Sequence, residues 1–148
     1  MRLAAHSAYP ASALGPLTGR NLFGVLVVER HVALVAAGVA RDRVLIDPTH
    51  DFGKNTFHGL ALLRHVGDLV KTGWPVLLAL SNKDFVGETL GVGLTERLEG
   101  TLAATALAAA AGARMFRVHE VAATRRVLEM VASIQGVRQP TRTVRGLA

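Results

Sequence analysis

The sequence predicts an α/β fold in which the strands form a parallel sheet. The prediction rests on a pattern that occurs three times: a short apolar run, a polar loop, and a stretch of helical periodicity that ends at glycine. Runs that are apolar at nearly every position are typical of parallel strands with helices on both faces. The runs begin about every 30 to 40 residues, which is the length of one strand–helix unit.

The three apolar runs mark the strands, and the segments after them mark the helices. Strands are expected at about 43–47, 76–81 and 114–119. The first is followed by "FHGLALLRHVGDLVKTG", where Gly73 ends the helix. The second is followed by "TERLEGTLAATALAAAAG", with Thr95 as N-cap and Gly112 as the end. The third is followed by "EVAATRRVLEMVASIQG", and upstream "VERHVALVAAG" predicts one more helix.

The helix from Leu98 to Ala111 differs from the others because it carries no charge after Glu99. Ala, Leu and Thr lie on all its sides, and a helix that is apolar all round must be buried all round. The sheet of so small a chain covers only one side of it. We therefore expect this Ala-rich helix to be a dimer surface that contacts a second subunit.

The composition is that of one globular domain of 148 residues. There are no cysteines, which excludes disulfides and thiolate metal sites and fits a reducing cytoplasm. No apolar run approaches the roughly 20 residues that cross a bilayer, so no membrane partner is expected. The net charge of +6 is carried by scattered arginines, with only Arg125 and Arg126 adjacent, so nucleic-acid binding is the least favoured function.

Polar residues follow each strand at its carboxyl end, where parallel α/β folds bind their ligands. These residues are Asp47, then Ser81, Asn82, Lys83 and Asp84, and finally Arg117 and His119. Alternation along the third strand puts Arg117 and His119 on the same side, beside the hydroxyl and ammonium groups of the second strand end. One interpretation is an anion pocket. In the other, Arg117 pairs with Glu120 or Asp84 while His119 hydrogen-bonds the backbone, and the pattern alone does not decide.

The loop after the first strand, "THDFGKN", also has two interpretations. In one, His50 and Asp51 are metal ligands, although adjacent loop residues rarely converge and spacing fixes no third ligand. In the other, Asp51 or Asn55 caps the next helix and Lys54 is exposed to solvent. Asp47 lies at the mouth of the core, where its carboxylate needs donors that a ligand with paired N–H groups would supply.

The sequence resembles the C-terminal part of dihydropteroate synthase, the pterin-binding (β/α)8 barrel enzyme of folate biosynthesis. The resemblance is carried by "LIDPTHDFGKN", "LLALSNKDFVGETLGV", "ERLEGTLAATALAAAAGA" and "RVHEV", in the family's order and spacing, over about residues 28–136. It is strongest to the divergent second synthase-like paralogue of actinobacteria. It implies a partial TIM barrel made of the last three strand–helix units. It also implies a transferase that joins p-aminobenzoate to a dihydropterin pyrophosphate with help from Mg²⁺.

The resemblance implies a role for each matching position. Asp47 would hydrogen-bond the amino-pyrimidine edge of the pterin. Lys83 would contact the carbonyl side of the pterin and flank the p-aminobenzoate, near which Phe52 would pack. Arg117 and His119 would bind the pyrophosphate, and Ser81 would lie close by. The Mg²⁺ ligand of the family belongs to the N-terminal half, which has no counterpart in this chain.

Two departures from the family pattern argue against catalysis. Active members usually carry Gly-Phe-Gly after the Asp-Pro, whereas Thr49, His50 and Asp51 stand here, so two positions that permit tight turns bear side chains. Asp84 stands where a hydroxyl would meet the carboxylate of p-aminobenzoate. Two like charges placed together disfavour that substrate.

We expect a partial pterin-binding domain over 28–136, a basic flexible tail over 137–148, and an N-terminal segment, 1–27, that is poorly ordered or out of frame. The leading hypothesis is a cytoplasmic dihydropteroate synthase-like protein that is inactive as this truncated and loop-altered chain. The alternative is a non-catalytic partner subunit, or a pterin- or anion-binding remnant, that docks on a full-length paralogue. Because three strands cannot close a barrel, we expect the chain to form homo-oligomers or to bind such a paralogue.

Overall fold

The computed structural model describes residues 3–4, 31–50 and 53–145. Its strands are β1 (Leu3–Ala4), β2 (Val44–Leu45), β3 (Leu77–Leu78) and β4 (Met115–Phe116). Residues 31–36 form helix α1, and the later helices are α2 (Thr56–Arg64), α3 (Val66–Lys71), α4 (Asp84–Leu90), α5 (Leu98–Ala110) and α6 (Val121–Ile134). Within these described ranges, no helix is both long enough and apolar enough to cross a membrane.

The strands form a parallel sheet, as the sequence predicts. β1 pairs with β2, and β3 pairs with β4, both in parallel. A bridge between Ile46 and Val76 joins the two pairs: Ile46 N–H donates to the Pro75 carbonyl at 2.8 Å, and Leu77 N–H donates to the Ile46 carbonyl at 2.8 Å. The spatial order is therefore β1, β2, β3, β4. The strands are shorter than expected, because regular pairing stops before the polar residues at their carboxyl ends.

The helices differ from the prediction at three points. The single helix expected up to Gly73 is divided at His65, where α2 ends and α3 begins. Thr95 is not an N-cap, because it lies in a 3-10 turn and α5 begins only at Leu98, after Arg97. Helix α4 was not predicted at all. It has seven residues and ends at Gly91, whose φ is 68°, so it is too short to show a periodic apolar pattern.

Helix α4 is held tightly between α2 and α5 by two glycines. A Cβ atom on Gly59 of α2 would lie 3.1 Å from Phe85 Cβ, and one on Gly100 of α5 would lie 2.6 Å from Val86 Cγ1. Phe85 and Val86 belong to the main core, which they share with strand and helix residues including Val66, Leu69, Val76, Leu78, Leu80, Ala104 and Ala108. This packing fixes the loop between β3 and α4, and therefore the position of the polar residues in it.

Helix α5 is covered by other helices as well as by the sheet. Its buried residues are Thr101, Ala104, Thr105 and Ala108, and it packs against α4 and α6. Leu107, in contrast, is 71% exposed. One side of α5 is therefore open in the single chain, and α4 and α6 supply cover that the sequence did not predict. The role of α5 as a dimer surface stays a prediction.

Candidate functional site

The carboxyl ends of β2, β3 and β4 lie at one edge of the sheet because these strands are parallel neighbours. Asp47 follows β2, Ser81 and Lys83 follow β3, and Arg117 and His119 follow β4. Two of these ends are in direct contact: Nδ1 of the His119 ring lies 2.9 Å from the Ser81 hydroxyl oxygen, and the His119 backbone N–H donates to the same oxygen at 3.3 Å. The structure thus brings Ser81 and His119 together at the edge, which we call the rim.

Asp47 and Lys54 hold the loop that follows β2. One carboxylate oxygen of the buried Asp47 accepts the Thr49 N–H at 2.8 Å, and the Lys54 ammonium donates to the Thr49 carbonyl at 2.9 Å and to its hydroxyl at 3.1 Å. Thr49 has a φ of 51°, a conformation that favours glycine. Lys54 is therefore a structural tether rather than the solvent-exposed residue of our expectation. Asn55 caps α2, as predicted: its side chain accepts the His58 N–H at 3.0 Å.

The loop after β3 is tied to the start of α5. Arg97 donates to the Asn82 carbonyl at 2.9 Å and to the Asp84 carboxylate at 2.9 Å, while the Thr101 hydroxyl accepts the Asn82 N–H at 3.3 Å. The Asp84 side chain is 77% exposed and the Arg97 side chain is 14% exposed. Arg97 therefore compensates part of the Asp84 charge. Lys83 stands between these two anchored residues, directly before α4.

Arg117 and His119 are both exposed, whereas Phe116 packs against the core, which agrees with strand alternation. In the described part of the chain, no ion pair joins Arg117 to Glu120 or to Asp84. His119 meets the hydroxyl of the neighbouring strand end rather than a backbone carbonyl. The described residues therefore show neither the Arg117 ion pair nor the His119–carbonyl bond of the second interpretation, although Ser81 is a structural partner of the His119 ring.

His50 is the residue of the rim whose importance the sequence did not reveal. It is 2% exposed, and its ring packs against Phe85 with the centroids 5.8 Å apart. Neither ring nitrogen has a hydrogen-bond partner among the described residues. Burial, together with the positive charges of Lys54 and Lys83, lowers the pKa of His50 from 6.5 to about 4, and burial has the largest effect. The imidazole is therefore neutral near pH 7.

The described residues contain no group of three or more His, Asp or Glu side chains that could hold a metal ion. This leaves the interpretation of His50 as a metal ligand without support. Two residues of the same loop, Asp51 and Phe52, lie outside the described residues. The predicted contact of Phe52 with p-aminobenzoate is therefore not placed by the structure.

A parallel α/β sheet with polar residues at its carboxyl edge is typical of ligand-binding α/β proteins. A family model identifies the family within this class. The model described as "Pterin binding enzyme" matches residues 22–119, which is most of the chain. The chain belongs to the pterin-binding enzyme family.

The curated relatives are synthases and synthase-like proteins. The chain is 90% identical over 114 residues to the inactive dihydropteroate synthase 2 of Mycobacterium leprae, covering 77% of this chain and 39% of that protein. It is 91% identical over 114 residues to the protein of the same name from Mycobacterium tuberculosis, and the match covers 77% of this chain and 36% of that protein. It is 34% identical over 115 residues to the dihydropteroate synthase of Escherichia coli, covering 78% and 41%. The chain thus spans about two-fifths of the length of these relatives.

Solved structures agree with this assignment. A Mycobacterium tuberculosis structure is 73% identical with a TM-score of 0.65, covering 80% of this chain and 44% of that one. The dihydropteroate synthase of Xanthomonas albilineans in complex with 7,8-dihydropteroate is 38% identical with a TM-score of 0.74, covering 83% and 50%. The chain is therefore dihydropteroate synthase-like in sequence and in fold.

Proposed function

We propose that this chain carries the pterin-binding rim of a dihydropteroate synthase-like protein of folate biosynthesis, and that it does not catalyse the synthase reaction. The proposal is carried by the placement of Asp47, Ser81, Lys83 and His119 at the ends of adjacent parallel strands in a chain of the pterin-binding enzyme family. Relatives that are 90% and 91% identical are named as inactive, which supports its second half.

Each side chain of the rim has a chemistry that suits its proposed role. The Asp47 carboxylate uses one site on Thr49 N–H, which leaves acceptor sites for the paired N–H groups of a pterin. Arg117 offers a forked donor to the pyrophosphate, and the linked side chains of His119 and Ser81 add donors next to it. Lys83 would contact the carbonyl side of the pterin. The role of Phe52 beside p-aminobenzoate rests on the resemblance alone.

Two features of the rim oppose the transfer to p-aminobenzoate. Thr49 and His50 place side chains in a loop where active members usually have a different, glycine-containing sequence, and Lys54 holds that loop in place. Asp84 places a carboxylate where the substrate carboxylate would bind, and Arg97 compensates it only in part because Asp84 remains largely exposed. Among the described residues, no group of three or more His, Asp or Glu side chains could hold Mg²⁺.

Calorimetry with dihydropterin pyrophosphate tests the binding half of the proposal. We expect Asp47→Asn to weaken binding at least about tenfold, because a hydrogen bond to a charged group contributes about 1.5–3 kcal/mol. Asp68→Asn is the matched control, since Asp68 lies exposed on α3 and pairs with His65 and Lys71. Unchanged affinity in Asp47→Asn would remove Asp47 from the site, and no binding by the wild-type chain would overturn the proposal.

An activity assay tests the other half. Purified chain is incubated with dihydropterin pyrophosphate, p-aminobenzoate and Mg²⁺, and we expect no dihydropteroate above the level of a protein-free control. An active synthase run in parallel shows that the assay detects product. Formation of dihydropteroate by this chain would contradict the proposed loss of catalysis.

The finer architecture belongs to the same proposal. We infer that the three strand–helix units that begin at β2, β3 and β4 are the last three of a (β/α)8 barrel, which the likeness to the Xanthomonas albilineans synthase supports. We also propose a cytoplasmic location and a second copy of this chain as the partner of α5. The alternative, a non-catalytic subunit or remnant that docks on a full-length paralogue, is not favoured by any of the comparisons.

A further inference from the structure

The His50 imidazole is a buried polar group that the described part of the fold leaves without a partner. Its side chain is 2% exposed, and neither Nδ1 nor Nε2 is hydrogen-bonded within that part. A buried donor without an acceptor destabilises a fold unless a ligand or water satisfies it. The phenyl ring that active members usually carry at this position would fill similar space without that penalty. A ligand could therefore supply the partner that the imidazole lacks among the described residues.

Two cations act on the His50 ring from neighbouring loops. Lys54 belongs to the loop before α2, where its ammonium binds the Thr49 carbonyl at 2.9 Å, one residue from His50. Lys83 belongs to the loop before α4. The contact with α4 itself is the apolar ring of Phe85. Within the described residues, the two charges that act on the His50 pKa, those of Lys54 and Lys83, are both positive, and each attracts an anion.

We propose that His50, together with Lys54 and Lys83, binds a small oxyanion at the rim and donates a ring N–H to a phosphate or carboxylate oxygen. The inference rests on the proposed function, because the same rim would hold the pterin substrate. An oxyanion supplies the acceptor that the ring lacks, and both ammonium groups attract it. Its negative charge also offsets the effect of the two lysines, which lower the His50 pKa in addition to burial. Anion binding is therefore accompanied by proton uptake at His50.

The first test follows the histidine ring signals of the ¹⁵N-labelled wild-type chain by NMR while inorganic pyrophosphate or, separately, p-aminobenzoate is added. The two titrations distinguish a phosphate from a carboxylate ligand. We expect one anion to shift the His50 signal saturably and to raise its pKa from about 4 toward the ordinary value. Calorimetry near pH 6 in buffers of different ionisation enthalpy measures the proton uptake. If neither anion moves the signal, an internal water is the partner of the ring and the inference is overturned.

Variants separate hydrogen bonding from protonation. We expect His50→Phe to weaken anion binding about tenfold and to abolish proton uptake. We expect His50→Gln, which keeps a donor but does not titrate, to retain more affinity without proton uptake. His65→Gln is the control, because this ring is exposed at the end of α2 remote from the rim and pairs with Asp68. If His50→Phe does not fold, the measurement on His50→Gln alone tests the inference. Proton uptake as large as that of the wild-type chain, in either variant, would overturn it.

A pterin without the pyrophosphate group separates this inference from the proposed function. The affinity for such a ligand should fall in Asp47→Asn and should not change in His50→Gln. If it binds while both anions leave His50 unaffected, the inference fails and the proposed pterin site stands. If an anion shifts His50 while no pterin binds, the oxyanion site stands and the proposed pterin site fails.

Discussion

At the residue scale, the rim combines backbone strain with side chains that fix it. Thr49 and Asn82 follow adjacent strands, and both have positive φ, at 51° and 58°. Asn tolerates this conformation, whereas a β-branched residue does so only when its surroundings impose it. For Thr49 those surroundings are the Asp47 carboxylate and the Lys54 ammonium. The loop thus holds a β-branched residue in a conformation that favours glycine.

The buried His50 predicts a dependence of stability on pH. Its pKa is about 4 in the folded chain, whereas an ordinary histidine has a pKa of 6.5, so the unfolded state binds the proton first as pH falls. The free energy of unfolding therefore decreases between about pH 6.5 and pH 4 and gains nothing further above that window. The decrease reaches about 3 kcal/mol, because one pKa unit corresponds to about 1.4 kcal/mol.

Urea unfolding at several pH values measures this effect. The wild-type chain should lose stability toward pH 4 more steeply than His50→Phe, which has no group to protonate at this position. His65→Gln corrects for general effects of removing a histidine, since His65 is exposed. Parallel stability curves for the wild-type chain and His50→Phe between pH 4 and pH 6.5 would show that the imidazole is not held neutral by burial.

At the element scale, the contact between α4 and α5 positions the loop that carries Lys83. Gly100 has no room for a methyl group, because its Cβ would lie 2.6 Å from Val86 Cγ1 and 2.7 Å from Leu90 Cδ1. We expect Gly100→Ala to lower the free energy of unfolding by about 1–3 kcal/mol through overpacking. Gly67→Ala is the matched control in α3, where the nearest atom is 4.0 Å away. There, higher helix propensity should raise stability by about 0.5–1 kcal/mol.

Thermal or urea unfolding of both variants checks this prediction. If Gly100→Ala lowers the free energy of unfolding and Gly67→Ala raises it, packing determines the effect at Gly100 and helix propensity determines it at Gly67. Equal stabilisation by both substitutions would mean that α4 can move away from α5. In that case α4 would not be the element that fixes the position of Lys83.

The sequence predicted those elements whose pattern is local and long. The apolar runs gave the parallel strands, and the helical stretches gave α2, α3, α5 and α6. It did not predict α4, because seven residues show less than two full turns of periodicity. It also did not predict the contact of Arg97 with Asn82, because no spacing rule relates residues 15 positions apart. The parallel order of the strand ends did predict that His119 lies near Ser81, although it did not predict the hydrogen bond between them.

Residues that serve the rim without lying in a strand-end motif were the hardest to predict. Strand alternation indicated Arg117 and His119, and the end of an apolar run indicated Asp47. His50 stands in a polar loop, and nothing in that loop shows that its ring is buried or that two lysines lower its pKa. The ring is buried because α4 packs Phe85 against it, and this contact depends on the tertiary fold.

At the scale of the whole molecule, the described chain leaves an apolar face open on α5 and α6. Leu107 is 71% exposed, Met130 61% and Ile134 72%. The helices pack side by side, and Gln135 Nε2 donates to the Ala110 carbonyl at 3.1 Å, which brings the end of α6 next to the turn that carries Leu107. A contiguous exposed apolar patch marks an interaction surface.

We therefore expect the 148-residue chain to self-associate through this face. Multi-angle light scattering after size-exclusion chromatography should give a mass above that of the 15.7 kDa monomer, and dilution should lower it. The pair Leu107→Glu and Ile134→Glu should shift the chain toward monomer, because charged groups would have to be buried in the contact. Phe57→Glu, which places the same charge at an exposed position of α2, should not. A monomer at every concentration would contradict a second copy as the partner of α5. Equal dissociation by Phe57→Glu would mean that association is general aggregation and does not use this face.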